Sequence, residues 1–249
     1  MPPDYSGLDP DHGLLRDQLI ATEREFIRLD IADTSPAQPW QTQVGGQPYL
    51  VDAAEFPRDR HGEQMAFLIQ LNFADLPPLS GYPSAGLLQF FVGADDVFGL
   101  GFGESPDQFH IRFHPTVEAG WSPRSALPAL EGLENTPLYR PSEGLAVTGT
   151  LDRMPVLYGD DRFDTLFPDA PKEDITYGVS EKLGSRVGGY PWLCQYDDRD
   201  PAKDVLLLQL DSDGGSMEWG DGGAAHFFMS EDDLSARRFS AVQYTWNCM

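Results

Sequence analysis

The chain has 249 residues, of which 41% are apolar and 12% aromatic, enough to bury a hydrophobic core, so the composition excludes a disordered chain. Its 40 acidic residues outnumber its 17 basic residues, and the net charge of −23 would repel nucleic-acid phosphates and anionic membranes. We therefore expect neither direct nucleic-acid binding nor membrane association.

The sequence also indicates where the protein resides. No apolar run approaches the roughly 18 residues of a membrane span, and residues 1–13 lack the basic and apolar regions of a secretory signal. These features predict a cytoplasmic protein. The 25 glycines and 21 prolines indicate many turns rather than a helical bundle.

The first predicted element is an amphipathic helix from about Asp11 to Arg28. Its apolar residues recur near the 3.6-residue helical period, so one face can pack on a sheet while the charged face remains in solvent. The apolar face consists of Leu15, Leu19, Ile20, Phe26, Ile27 and Leu29.

Short β-strands are predicted after this helix, because several segments rich in aliphatic and aromatic residues are bounded by Gly, Pro or Asp. A connector rich in Pro and Gly is expected from about Thr116 to Pro155. The predicted strands are Ala66–Asn72, Leu87–Val92, Phe109–Phe113, Val205–Asp211, His226–Met229 and Phe239–Trp246.

Three blocks of sequence occur twice in the same order, which indicates an internal repeat. The pattern V-G-G-x-P-aromatic-L stands at residues 44–50 and again at 187–193, an offset of 143 residues. The other two pairs are residues 65–72 with 203–211, and 86–91 with 223–228.

These repeats lead to a specific fold prediction. We expect an α+β fold in which residues 1–249 form a single compact domain. Two related β-rich halves, at about residues 40–115 and 183–249, would arise from an internal duplication, with the N-terminal helix packed on them. Duplicate sheets with matching apolar faces would bury best against each other or as one continuous sheet.

Gln70 and Gln209 occupy the same place in the two repeats, within otherwise apolar strands. A buried amide needs hydrogen-bond partners, and the simplest use is to tie the backbone of the glycine turn to the sheet. A role in facing a ligand remains the alternative.

Three short patterns resemble parts of ligand sites but lack essential members. Residues 99–103 carry three alternating glycines without the spacing of a phosphate loop, and residues 211–215 lack the later acidic ligands of a calcium loop. His110 and His114 would project from one face of a strand, but a metal site needs a third ligand.

We find no motif typical of a nucleophilic or metal-dependent enzyme. Cys194 and Cys248 have no metal-ligand spacing, and we expect reduced thiols, with Cys194 buried. The sequence therefore predicts a protein that is not an enzyme, with no catalytic residue, no metal and no cofactor.

Acidic residues concentrate in the C-terminal part, where 19 acidic and 7 basic residues lie between Asp152 and Asp233. Such a field can simply keep the surface solvated, or it can mimic phosphates and attract a basic partner. For the second interpretation, an exposed loop aromatic would anchor the interface. The predicted partner-binding residues are Asp197, Asp198, Asp200, Glu218, Trp219 and Asp221.

The chain resembles the YwqG-like family of bacterial cytoplasmic proteins. The resemblance rests on residues 186–195, 206–213, 219–223 and 227–228, and in the first half on 45–48, 67–72 and 86–91. Val51 departs from the family pattern, in which a proline tends to follow the leucine. The family has no assigned catalytic residues, and its genes often lie near toxin genes, so the resemblance implies that some members are immunity proteins.

Two functions of different classes follow as expectations. The first is an immunity protein that neutralises a cognate basic toxin, a nuclease, by covering its active or DNA-binding cleft. The alternative is a small-ligand-binding protein or enzyme with a cleft between the two halves, lined by Gln70, Gln209, His110 or His226. A housekeeping scaffold is a third possibility.

Overall fold

Ten β-strands dominate the part of the chain that the structure describes. This computed structural model describes residues 5, 13–50, 52, 55–101, 108–118, 133, 135–169 and 184–249. The strands are β1 Arg24–Ile31, β2 Gln43–Val44, β3 Ala66–Asn72, β4 Leu87–Val92, β5 Phe109–His114, β6 Leu145–Met154, β7 Arg186–Gly188, β8 Val205–Asp211, β9 Ala224–Met229 and β10 Gln243–Asn247. The helices are α1 Gly13–Ala21, α2 Asp161–Leu166 and α3 Glu231–Ser235, and Phe239–Ala241 forms a 3-10 turn.

All ten strands belong to one antiparallel sheet in the order β10-β9-β8-β7-β1-β6-β2-β3-β4-β5. The sheet curls into a nearly closed, barrel-like shape, because its two edge strands approach each other. The rings of Phe109 on β5 and Tyr244 on β10 lie 5.6 Å apart, and the Tyr244 hydroxyl donates to the Phe98 carbonyl at 2.8 Å. Phe90 and Phe227, from the two halves, meet inside this curl at 4.8 Å.

The strand order is symmetric about the pair β1–β6 at the centre of the sheet. Strands that lie at equal distances from the centre are five places apart in the chain: β1 with β6, β7 with β2, β8 with β3, β9 with β4 and β10 with β5. From here on, the first half denotes β1–β5 and the second half β6–β10. The strands β1 and β6 pair at the centre, and each also pairs with the short strand of the other half, β1 with β7 and β6 with β2. The bulges in β3 and β8 fall at matching places, between Phe67 and Ile69 and between Leu206 and Leu208.

The two repeated V-G-G segments, residues 44–46 and 187–189, begin the two glycine turns, and each turn has a backbone conformation that favours glycine. Gly46 and Gly189 have φ of 68° and 74°, and a Cβ at Gly46 would lie 2.5 Å from the Cα of Gly144. Gln70 Oε1 accepts from the Tyr49 amide at 2.9 Å, and Gln209 Oε1 accepts from the Trp192 amide at 2.8 Å. Both glutamines thus hold their turns to the sheet, as their structural interpretation predicts.

The predicted helix over residues 11–28 is wrong in its second part, and residues 11 and 12 lie outside the described residues. The helix α1 ends at Ala21, where Thr22 Oγ1 donates back to the Leu19 carbonyl at 2.7 Å. Residues 24–31 form β1 instead, because β6 and β7 supply backbone partners along its two sides. A periodicity of apolar residues could not reveal this pairing.

The predicted connector over residues 116–155 is also wrong in part, since it contains β6, the longest strand. Thr148, Thr150 and Asp152 alternate with other residues along it, and this polar character conceals a strand at the centre of the sheet. Residues 119–132 and 134 of the connector lie outside the described residues. Within the described residues, every helix falls short of the length and apolar character required to span a membrane.

Candidate partner-binding surface

The loop with the predicted contacts Asp198 and Asp200 runs along the edge strand β10. Thr245 Oγ1 donates to the Asp198 carboxylate at 2.7 Å, and Gln243 Oε1 accepts from the Asp200 amide at 2.8 Å. Gln243 Nε2 also donates to the Asp198 carbonyl at 3.2 Å. Asp198 and Asp200 are exposed, so they can reach a partner from a loop that β10 holds in place.

Asp197 differs from its neighbours, and its prediction as an exposed contact is wrong. Its side chain is only 2% exposed and forms an ion pair with Arg199. The Asp161 amide donates to the same carboxylate at 3.3 Å. Asp197 therefore contributes to the support beneath the loop rather than to its outer surface.

A buried charge cluster around Asp160 joins this loop to α2. Arg162 Nε donates to Asp160 at 2.8 Å, and Arg199 Nη2 donates to it at 3.0 Å. Burial alone would raise the pKa of Asp160, but the hydrogen bonds from Arg162 and the charges of both guanidiniums hold it below the ordinary value. The ionised cluster fixes the start of α2 and the loop at residues 197–200 relative to each other.

The second predicted acidic loop is held by Glu218. Its carboxylate accepts from the Tyr139 hydroxyl at 2.7 Å and from the Gly222 amide at 3.0 Å. The hydrogen bond to Glu218 raises the pKa of Tyr139 above its ordinary value. Asp221 is exposed at the tip of this loop.

The two acidic loops meet the same stretch of chain at the end of β10. Gln195 Nε2 donates to the Cys248 carbonyl at 2.6 Å, and the Met249 amide donates to the Asp221 carbonyl at 3.2 Å. The structure thus places both predicted loops along one edge of the sheet. We use the term acidic surface for Tyr196, Asp198, Asp200, Glu218 and Asp221.

Trp219 is not the exposed anchor that the sequence predicts. It is 0% exposed and lies in the core, with its ring 5.6 Å from Phe98 and 6.2 Å from Trp246. The loop folds inward because Ser212 Oγ accepts from the Trp219 amide at 2.8 Å. An aromatic among glycines and acids can enter the core when the turn permits it.

Tyr196 is an exposed aromatic on this surface that the sequence pattern did not indicate. Its side chain is 74% exposed, on the loop that carries Asp198 and Asp200. The available signal was its position, directly before Asp197 and three residues after the apolar end of the glycine turn. A large exposed aromatic beside carboxylates is typical of a binding surface.

The first-half histidines form a row with Arg112 on the outer side of β5. His114 Nε2 lies 3.1 Å from Gln89 Oε1, and its ring contacts Tyr49 at 5.2 Å. Burial, and then the charge of Arg112, lower the pKa of both His110 and His114. Among the described residues, no group of three or more His, Cys, Asp or Glu could hold a metal ion.

Three of the residues expected to line a ligand cleft are buried instead, which corrects that expectation. Gln70 and Gln209 bind turn backbone, and His226 Nε2 donates to the Trp192 carbonyl at 2.8 Å. Burial lowers the pKa of His226 to about 3, so the ring is neutral at physiological pH. Cys194, expected to be buried, is half-buried, and its thiol donates to Asn247 Oδ1 at 2.9 Å.

Residues 42–248 match the family model described as Domain of unknown function (DUF1963). The chain belongs to this family. The DUF1963 match includes both glycine turns and the whole acidic surface, whereas α1 and β1 precede it, although β1 lies at the centre of the sheet. No curated protein matches the chain.

Proposed function

We propose that this protein is an immunity protein that binds and neutralises a cognate basic toxin, a nuclease. The acidic surface would cover the active or DNA-binding cleft of the toxin in the cytoplasm. In this proposal the protein acts by binding alone and uses no catalytic residue and no cofactor. The observation that carries it is the exposed Tyr196 beside Asp198 and Asp200 on a loop held from beneath.

Charge supports a basic partner. A nuclease presents Lys and Arg to phosphates, and exposed carboxylates compete for the same groups. With a net charge of −23, the whole molecule adds a long-range attraction that accelerates encounter at low ionic strength. The carboxylates would then set orientation and speed, while Tyr196 supplies apolar contact.

Rigidity supports the same interpretation. Arg199 binds both Asp160 and Asp197 beneath the loop, and β10 holds its outer part through Gln243 and Thr245. A surface that is already ordered loses little conformational entropy on binding, which favours affinity.

The YwqG-like resemblance supports the proposal through the gene neighbourhoods of that family. We also infer that the two halves arose by internal duplication. Equivalent hydrogen bonds favour this origin, for example the Asn72 amide to Thr42 Oγ1 and the Asp211 amide to Ser185 Oγ, both at 3.0 Å. The symmetric strand order supports it as well.

Co-expression with the toxin encoded beside this gene tests the function. We expect the wild-type chain to protect cells and to co-purify with the toxin. Tyr196→Ala should weaken both effects at least tenfold, because it removes the aromatic anchor. Tyr139→Ala is the matched control for the other loop, since Tyr139 is also exposed, at 53%, and binds Glu218.

The two variants also distinguish the loops. A loss with Tyr196→Ala but not with Tyr139→Ala assigns the apolar contact to Tyr196, as proposed. If only Tyr139→Ala loses protection, the Glu218 loop is the contact and the role of Tyr196 is wrong. If the wild-type protein neither protects nor co-purifies with the toxin, the immunity function is wrong.

A further inference from the structure

A cavity of about 390 Å³ lies beside the glycine turn of the second half, between β1, α2 and the start of β8. The guanidinium of Arg24 lies 4.7 Å from the centre of the Tyr190 ring, and that of Arg162 lies 4.8 Å from it. Leu166 and Pro201 form an apolar part of the wall. Arg24 and Asp204 also line an adjoining cavity of about 550 Å³, which reaches the loop at residues 79–82 of the first half.

The first half has a cavity at the equivalent place with a different lining. The pairing of β2 with β6 matches that of β7 with β1, so that Ala146 corresponds to Arg28 and, four residues earlier, Ser142 corresponds to Arg24. Gln47 likewise corresponds to Tyr190. The first-half cavity, about 310 Å³, is lined by Ser142 and Gln47.

The two cavities lie at equivalent places but differ in charge, and the available positive charge in the second-half cavity is that of Arg24. Arg162 and Arg199 are occupied by Asp160, and Arg162 Nη1 also donates to the Asp204 carbonyl at 3.1 Å. Arg24 is exposed and forms its ring contact with Tyr190, but no ion pair with any residue in the described ranges. A guanidinium held over an aromatic ring is oriented to receive a planar anion.

The remaining walls restrict the charge of that anion. Asp161 and Asp204 are among the residues that line the same cavity, and their negative charges would repel a second negative charge on the ligand. Leu166 and Pro201 offer contact to an apolar body. We propose that this cavity binds a small organic monocarboxylate, with its carboxylate on Arg24 and its apolar part against Tyr190, Leu166 and Pro201. This proposal is independent of the immunity function.

Ligand-observed fluorine NMR titration of the full chain tests it, with 4-fluorobenzoate as the probe. We expect a roughly millimolar Kd, given the small size of the probe. Arg24→Ser, which installs the residue of the equivalent position, should weaken binding at least tenfold because a charged hydrogen bond is lost. Arg24 is exposed without an ion pair, so the variant should fold normally, which circular dichroism verifies.

Ser142→Ala in the first-half cavity is the matched control and should leave binding unchanged. The neutral 4-fluorobenzamide should bind the wild type no better than 4-fluorobenzoate binds Arg24→Ser. The proposal is overturned if 4-fluorobenzoate does not bind, if Arg24→Ser binds it equally, or if the amide binds as well as the acid. Tighter binding of 4-fluorophenyl phosphate would overturn the assignment to a monocarboxylate.

Discussion

The two halves of the molecule share one arrangement of turn and sheet but hold it with different side chains. Gln43 in β2 corresponds to Arg186 in β7, since they pair with Gln70 and Gln209 respectively. Gln43 Nε2 donates to the carbonyls of Gly45 and Gln47, and Arg186 Nη1 donates to the Tyr190 carbonyl. The carbonyls of the glycine turn require a hydrogen-bond donor at this position, and either an amide or a guanidinium can supply it.

A similar exchange occurs two strands further from the centre of the sheet, in β4 and β9. Gln89 Nε2 donates to the Tyr49 carbonyl at 2.8 Å, and His226 Nε2 donates to the Trp192 carbonyl at the same distance. The first half thus relies on neutral amides, whereas the second half adds ionisable groups and the buried cluster around Asp160. The second half also contributes the whole acidic surface and all the lining residues of the charged cavity except Arg24.

The largest expected effect concerns the charge cluster around Asp160. Asp160→Asn should lower the free energy of unfolding by about 3–5 kcal/mol, because it leaves Arg162 and Arg199 without their shared carboxylate. Urea denaturation at pH 7 measures this loss. Asp169→Asn, an exposed change just after α2, is the control and should stay within about 0.5 kcal/mol.

The pH dependence of the same variant follows from the pKa of Asp160. Its folded-state pKa is depressed, so its stabilisation is present above the ordinary value of 3.8 and is lost as pH falls through the folded pKa. The difference between wild type and Asp160→Asn should therefore persist at pH 5 and shrink below about pH 3.8. A constant difference down to pH 2 would contradict this electrostatic explanation.

The next effect tests the equivalence of the two halves. Gln70→Leu and Gln209→Leu should each lower stability by about 2–4 kcal/mol, since each leaves a turn amide, that of Tyr49 or Trp192, without its acceptor. Thermal and urea unfolding of both variants measure the losses. Losses that differ by more than about 2 kcal/mol would show that the halves are not held in the same way.

The smallest effect at pH 7 is expected for His226→Gln, which copies Gln89. Glutamine can still donate to the Trp192 carbonyl, so stability should change by less than about 1 kcal/mol. Buried His226 has a pKa of about 3 against an ordinary value of 6.5, so the unfolded chain alone gains a proton as pH falls below 6.5. As pH falls between those two values, the free energy of unfolding of wild type should decrease by about 1.4 kcal/mol per pH unit because of this group.

The free energy of unfolding of His226→Gln, relative to that of wild type, should therefore be higher at pH 5 than at pH 7 by roughly 2 kcal/mol. Measuring both proteins in urea at the two pH values cancels the contributions of the other titratable groups, which the two proteins share. An unchanged difference would mean that His226 takes up a proton in the folded protein.

Strands with strong apolar character could be predicted from sequence. The ranges predicted for β3, β4 and β8 coincide with those observed, because each is a mainly apolar segment, interrupted by a single glutamine, between turn residues. β1 and β6 could not be recognised, since their stability comes from pairing with each other across more than 100 residues of sequence. Local periodicity contains no information about such a partner.

The positions of the two acidic loops and the exposure of Asp198, Asp200 and Asp221 could be predicted, whereas the orientation of the other side chains could not. The charge pattern located both acidic loops, yet Asp197 and Trp219 are buried and Tyr196 is exposed. Which side of a loop faces the core depends on hydrogen bonds such as those from Thr245 to Asp198 and from the Trp219 amide to Ser212. These contacts join residues that are distant in the chain or lie in irregular turns.

The association rate of this protein with the adjacent toxin tests the central claim most directly. Stopped-flow measurements at several salt concentrations should show a rate constant that falls steeply toward about 0.15 M salt, where the Debye length is about 8 Å. Asp198→Asn combined with Asp200→Asn should slow association severalfold at low salt and converge with wild type at high salt. A rate that is independent of salt, or unchanged in the double variant, would contradict recognition through the acidic surface.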